Sequence, residues 1–488
     1  MTVVSIATFL IFTRLLTTFE IGLMATLLLI LQISQTAVTF GLQDVLTKFV
    51  AQSKRRAANN TIRICVRLVL ASSVVAGALV ILFSPALSLF LTGTFDYALT
   101  FGGLGFSVVV AGLYPSLVGI LLGQQKIKEL ARIDTVRFIV QQGLAAVLVI
   151  LGWKVLGVVT GWAVGYSFFA ITAYYATHSW GTGVAGKVNL EKLLSFSVPL
   201  YACDFSQLAY NWVDRALLLF YLPLSALGIY NVAFVGFSIV ASAPYAMATS
   251  LFPHYSKLSS RSREKLESAV RSASRYISLI VSPLAVGLGA LAPTVLRLFG
   301  PAYQGGDVAL AILSLCLFAS LPFFSLGSIL VALGRPLRQS AVTIASVLVS
   351  ILTGVVVIPR LGMNGGAIAR GVGLVAYMVL TMWLVKGQIG LKFDRSAILK
   401  SAVASIIMAI PLIFLEFSLR SILFLPLYLF VGVIVYTGVL RFEKAVDRED
   451  LEFLKAFLGR RLSSVVDRVG PWLVPEGRGN RFASSDRD

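Results

Sequence analysis

The sequence predicts an all-α, polytopic membrane protein of about fourteen transmembrane helices. Of its 488 residues 57% are hydrophobic and only 13% are charged, against roughly 25% charged in a soluble domain. Apolar runs near twenty residues, each about enough to cross ~30 Å of hydrocarbon as a helix, recur along almost the whole chain.

Taken in order, the runs place spans at 3–16, 20–41, 64–92, 98–122, 134–153 and 155–178, then at 196–222, 226–252, 275–296, 306–332, 337–358 and 364–386, and finally at 396–417 and 420–440. Val3 to Arg14 supplies only about 18 Å of helix at ~1.5 Å per residue, so the first span is short and the expectation is that native residues precede Met1. No basic segment leads it and no small-residue cleavage site follows, which argues against a signal peptide. Beyond Leu440, Leu451, Leu454, Leu458, Leu462, Val465 and Val469 recur at spacings of three and four beside Lys455, Arg460, Arg461 and Arg468. That pattern predicts an amphipathic helix, either on an anionic inner leaflet or packed on cytoplasmic loops. A disordered end follows it.

The net charge of +19 does not indicate a nucleic-acid partner, because the basic residues sit in short connections and no aromatic-interleaved basic domain exists. They report topology instead. The connections after spans 2, 4, 6, 8, 10 and 12, counted with the span ends that adjoin them, and the tail hold 34 of the 41 Lys and Arg. Since such residues concentrate on the cytoplasmic side, both termini and the loops at Lys54–Arg63 and Arg261–Arg271 are expected there, in a cell membrane. Cys65, Cys203 and Cys316 have no metal spacing and read as small hydrophobes.

Landmarks repeat at a nearly fixed offset, which defines architecture without other knowledge. Gly22 in FEIGLMAT pairs with Gly228 in SALGIYNV, 206 residues on; Pro85 pairs with Pro293 and Gly123 with Gly334; Gly152–Gly165 has its counterpart in Gly362–Gly373. The first twelve spans are therefore two copies of six in one orientation, related by an axis along the membrane normal. The expected organisation is an N-terminal lobe (1–190), a second lobe (191–390), two further transmembrane helices (391–440) and a cytoplasmic tail (441–488).

Polar side chains within hydrocarbon need a reason. Asp204, Gln207, Asn211, Asp214 and Arg215 fall on one face of span 7, and Gln32, Thr36, Thr39 and Gln43 on one face of span 2. The repeat offset carries the latter four to Ser238, Ser242, Tyr245 and Thr249 in span 8. Either the faces line a water-filled cleft or they are interhelical hydrogen-bonding glue. The symmetry between copies and the presence of charge favour the cleft. Asp214 beside Arg215 also fits a simple interfacial pair. Arg14 and Arg370 are candidates for a phosphate contact or for snorkelling to headgroups.

The stretch FTRLLTTFEIGLMATLLLILQISQTAVTFGLQDVLTKFVAQ, with VDRALLLFYLPLSALGIYNVAF, SLFPHYSKL, FGPAYQGG and VALGRPLRQS through GMNGGAIA, resembles polysaccharide biosynthesis and export proteins, the O-antigen flippase branch of the multidrug/oligosaccharidyl-lipid/polysaccharide (MOP) superfamily. The resemblance covers about residues 10–390. It implies a V-shaped bundle of two six-helix lobes and the flipping of polyprenyl-diphosphate-linked oligosaccharide by alternating access. The implied partners are that substrate, membrane lipids, and H+ or Na+ as a coupling ion. The short first helix departs from the family pattern. A cation-coupled multidrug or small-solute antiporter is the rival on the same fold, with Asp204 as its carboxylate. No GxxxxGK[ST] loop, His-rich constellation or long outer loop with paired carboxylates occurs, so neither enzymatic activity nor a metal or cofactor is expected.

Overall fold

The computed structural model describes residues 2–52, 55–177, 190–259, 263–333, 335–387, 390, 393–447 and 450, and these are helical almost throughout. The predicted tail helix at 451–469, and the lobe boundary near 190 up to Asn189, lie outside the described residues. Two compact units emerge, residues 1–232 with 354–366, and residues 233–353 with 367–488.

The first unit holds α1 (Thr2–Leu15), α2 (Thr18–Thr39), α3 (Leu42–Gln52), α4 (Arg55–Leu82), α5 (Ser84–Thr92), α6 (Ala98–Gly123), α7 (Ile127–Leu148), α8 (Lys154–Thr177), α9 (Leu190–Tyr221) and the first turns of α10 (Leu224–Ser259). The rest of α10 belongs to the second unit, with α11 (Arg263–Ala290), α12 (Ala292–Phe299), α13 (Asp307–Ser320), α14 (Leu326–Ala332), α15 (Pro336–Leu361), α16 (Met363–Lys386), α17 (Arg395–Leu419) and α18 (Leu425–Phe442), apart from the 354–366 segment shared by α15 and α16. Among the described residues, eleven helical stretches are long and apolar enough to cross a membrane. One, 127–177, is 51 residues long and contains two of the expected spans; the expected spans 1 and 7 fall on α1, whose apolar stretch is shorter, and on α9. The chain is an all-helical, multi-pass membrane protein.

Its outside is a lipid face. Phe90, Phe220 and Phe442 are more than 80% exposed, which a water-soluble surface would not tolerate in such number, while Ser73, Ser107, Ser278 and Ser346 are buried. Inside the first unit, Leu46, Ile62, Cys65, Val69, Ile120 and Phe169 form one apolar cluster, in which Cys65 packs as the small hydrophobe its sequence context predicts.

The repeat landmarks have the same local structure in both copies. Pro85 stands at the second position of α5 after a break at Phe83, and α5 stops at Gly93 (φ 76°). Pro293 does likewise in α12 after Leu291, and that helix stops at Gly300 (φ 138°). Proline fits the first turn, where its missing N–H costs nothing, and glycine accepts the positive φ at the end. Gly22 and Gly228 touch one another reciprocally. A Cβ on Gly22 would lie 1.9 Å from the Leu224 carbonyl oxygen, and one on Gly228 would lie 1.9 Å from that of Thr18. Thr18 and Leu224 are themselves 206 residues apart, so repeat-related positions of α2 and α10 meet as a local two-fold relation demands.

Candidate functional site

Span 2 is not one helix. Phe40 (φ 48°) and Gly41 (φ 65°) are both left-handed, ending α2 and starting α3. The broken backbone is held by α9. Ser197 Oγ donates to the Phe40 carbonyl, and a Cβ at Gly41 would sit 2.9 Å from the Ser197 carbonyl oxygen and the Tyr201 nitrogen. Only glycine permits that approach, and irregular backbone at membrane depth is tolerable where protein or a wet cavity satisfies it.

A cavity of about 460 Å³ opens at this break. From the α2–α3 side it is lined by Gln32, Gln35, Thr36, Thr39, Gly41 and Gln43, and from α9 by Asp204, Gln207, Leu208, Asn211 and Trp212. Tyr114 and Pro115 of α6, Arg137 of α7 and Tyr166 of α8 complete it. Pro115 has no N–H for the carbonyl of Ala111 four residues earlier. Gln35 Nε2 donates to that carbonyl at 2.9 Å, tying α2 to α6 at the cavity wall.

Arg137 is 8% exposed and held on three sides. Its Nε donates to Asp134 Oδ1 at 2.7 Å and its Nη1 to Gln141 Oε1 at 2.6 Å. The guanidinium carbon lies 5.1 Å from the centre of the Tyr114 ring and 5.4 Å from that of Tyr166, and Tyr114 Oη donates to Asp134 at 3.1 Å. Asp204 is exposed toward the cavity and has no lysine or arginine within ion-pair distance among the described residues.

Seven of the residues singled out by sequence line this one cavity: Gln32, Thr36, Thr39, Gln43, Asp204, Gln207 and Asn211. Asp214 and Arg215, on the same helix, are buried behind it. Tyr230 Oη donates to Asp214 Oδ2 at 2.7 Å, and Arg215 Nη2 donates to the Asn211 carbonyl. In the second unit, Ser238 and Ser242 donate to carbonyls of their own helix, those of Val235 and Ile239, and Arg370 lies 5.9 Å from the centre of the Phe234 ring. Arg14 is an exposed residue in the last turn of α1. Sequence reading missed Tyr114, Tyr166, Trp212 and Arg137. Arg137 was counted with the basic connection after span 4, although its spacing of three from Asp134 and four from Gln141 marks a structured helical face.

A family model described as polysaccharide biosynthesis protein matches residues 11–305. The chain is 23% identical over 411 residues to Agl15 of Haloferax volcanii, a probable low-salt glycan biosynthesis flippase, covering 82% of this chain and 84% of that one. Its fold is similar to that of the lipid II flippase MurJ in an inward closed conformation, with a TM-score of 0.69 at 16% identity over 90% of this chain and 97% of that one. It is also similar to an inward-facing multidrug resistance MATE family transporter of the MOP superfamily, with a TM-score of 0.66 at 16% identity over 78% and 94%.

Proposed function

The chain belongs to the polysaccharide biosynthesis protein family, and from that premise we propose that it is a non-enzymatic transporter that flips lipid-linked oligosaccharide across the cell membrane by alternating access. The observation that carries this reading is a polar cavity walled by six helices inside an otherwise lipid-facing bundle. A glycan hydroxyl entering hydrocarbon unaided loses about 4–8 kcal/mol, so a headgroup with several hydroxyls does not cross on its own. Glutamine, asparagine and threonine side chains replace the lost water, while the lipid tail stays in the bilayer. The similarity to Agl15, named as a probable glycan flippase, supports this substrate class over a small-solute antiport substrate. Both termini are cytoplasmic in this reading, as the Lys/Arg asymmetry requires. The coupling ion is H+ or Na+, taken up at Asp204.

The test is reconstitution. In proteoliposomes containing a fluorescent polyprenyl-diphosphate oligosaccharide, an impermeant glycosidase added outside should digest nearly all of the label when the protein is present. Digestion confined to the outer-leaflet fraction, as in protein-free vesicles, would overturn the proposal.

A further inference from the structure

Asp214 and Arg215 are a costly pair to bury in a membrane helix, at 0% and 8% exposed, and neither lines the cavity. What they hold does. Arg215 lies over the Trp212 indole, its guanidinium carbon 3.8 Å from the ring centre. The guanidinium is held by the Asn211 carbonyl, and Asp214 Oδ1 stands 3.8 Å from its Nε, an ion-pair contact beyond hydrogen-bond distance. Asp214 is fixed in turn by the hydroxyl of fully buried Tyr230. The chain Tyr230–Asp214–Arg215 thus ends on the half-buried ring of Trp212, which lines the cavity.

We infer that Trp212 is a pre-set stacking platform for a neutral pyranose ring of the transported headgroup, a role that rests on the glycan-transport reading. An aromatic ring with its orientation locked offers an apolar plane to the C–H face of a sugar. Amide side chains offer paired donor and acceptor atoms to adjacent hydroxyls, and Asn211 and Gln207 of α9 line the cavity with Trp212, as do Gln32 and Gln43 of α2 and α3. Charge decides which part of the substrate binds here. The lining carries one carboxylate, Asp204, and one guanidinium, Arg137, so its formal charge is zero and a diphosphate would find no net compensation. The uncharged sugar is the part that fits.

The experiment uses the full-length protein in detergent, with neutral methyl pyranosides (gluco, manno, galacto and N-acetylglucosamine forms) as probes and saturation-transfer NMR as the readout. Wild type should transfer magnetisation to the ring C–H protons of at least one glycoside. Trp212→Leu should weaken its binding about three- to tenfold, as the loss of one aromatic contact implies, and Trp212→Phe by less; inorganic pyrophosphate should not compete. The assignment falls if no glycoside responds, if folded Trp212→Leu binds as wild type does, or if pyrophosphate displaces the sugar. Should Trp212→Leu fail to fold, Trp212→Phe decides alone: weaker binding supports the platform and unchanged binding removes it. Flipping in proteoliposomes separates the two readings. Transport with glycoside binding indifferent to Trp212 sinks only the platform, and Trp212-dependent binding without transport sinks only the flippase.

Discussion

Two proline-bearing helices, one in each unit, face the same problem and solve it with different consequences. Pro115 in α6 leaves the Ala111 carbonyl without its helical donor, and Pro283 in α11 does the same to Leu279. Gln35 Nε2 supplies the first at 2.9 Å and Tyr436 Oη the second at 2.7 Å. In the first unit Gln35 and Pro115 then stand at the edge of an open polar cavity. In the second unit Tyr436 closes a seam in which Ser401 donates to the Ser278 carbonyl at 2.9 Å and Ser405 to Ser282 at 2.9 Å. That seam locks α11, α17 and α18 together around Met408 and Leu412. The same repair of an orphaned carbonyl therefore borders an open polar cavity in one unit and a closed hydrogen-bonded seam in the other.

The second unit is also bolted at its ends, and there the contrast is broken most forcefully. Arg275 of α11 meets Asp394 at 3.0 Å, Asp447 at 3.1 Å and Asp450 at 2.6 Å, and donates to the Ala445 carbonyl at 3.1 Å. It joins the start of α17 to the segment leaving α18. Arg275→Met removes the common partner of three carboxylates, and losing charge-assisted hydrogen bonds in a partly buried network of this kind costs about 1.5–3 kcal/mol. The expected outcome is a sharp fall in membrane abundance and in the thermal midpoint of the purified protein, with glycoside binding per folded molecule unchanged. Normal abundance would mean that the appended helices are not fastened there.

A finer probe compares the two prolines directly. Tyr436→Phe and Gln35→Leu each strip the donor from an orphaned carbonyl, at about 1–3 kcal/mol apiece. Both should lower the thermal midpoint modestly. Only Gln35→Leu should also weaken glycoside binding, because only that donor stands at the cavity. Equal binding defects in the two variants would erase the distinction between lining and glue.

How far the sequence foretold this follows from what each signal measures. Hydropathy located the spans because lipid selects apolar runs, but it marked where hydrocarbon ends and not where helices end. α4 starts at Arg55 and α11 at Arg263, nine and twelve residues before the apolar stretches expected at 64 and 275, since basic residues continue a helix into water. Span 10, expected as one element at 306–332, is α13, a tight turn at Leu321–Phe323 containing Pro322, and α14. The polar stripes of spans 2 and 7 were legible because a cavity-facing helix keeps its polar side chains on one face. Ser238 and Ser242 carried the same spacing, and their hydroxyls donate to carbonyls of their own helix, as that of cavity-lining Thr39 does. Arg137, by contrast, was hidden. A lysine or arginine near a span end reads as topology, and only the rings of Tyr114 and Tyr166, brought from α6 and α8, turn this one into part of a site.

Asp204 marks the smallest structural effect and the clearest functional one. It is exposed to the cavity and has no cationic partner within ion-pair distance among the described residues, so nothing in the packing depends on its charge. Asp204→Asn keeps size and hydrogen-bonding capacity while deleting the charge, and its effect on stability should stay within about 0.5 kcal/mol, as for a surface substitution. An intramembrane carboxylate left unpaired is costly and is retained for a function, and the role proposed for this one is the uptake of a coupling cation. In proteoliposomes carrying an imposed H+ or Na+ gradient, the wild type should translocate the labelled glycan lipid faster than without the gradient. Asp204→Asn should translocate at the same rate with and without it. A gradient response preserved in the variant would show that the carboxylate does not couple, and a loss of abundance on the scale of Arg275→Met would make Asp204 glue like the serines of the second unit.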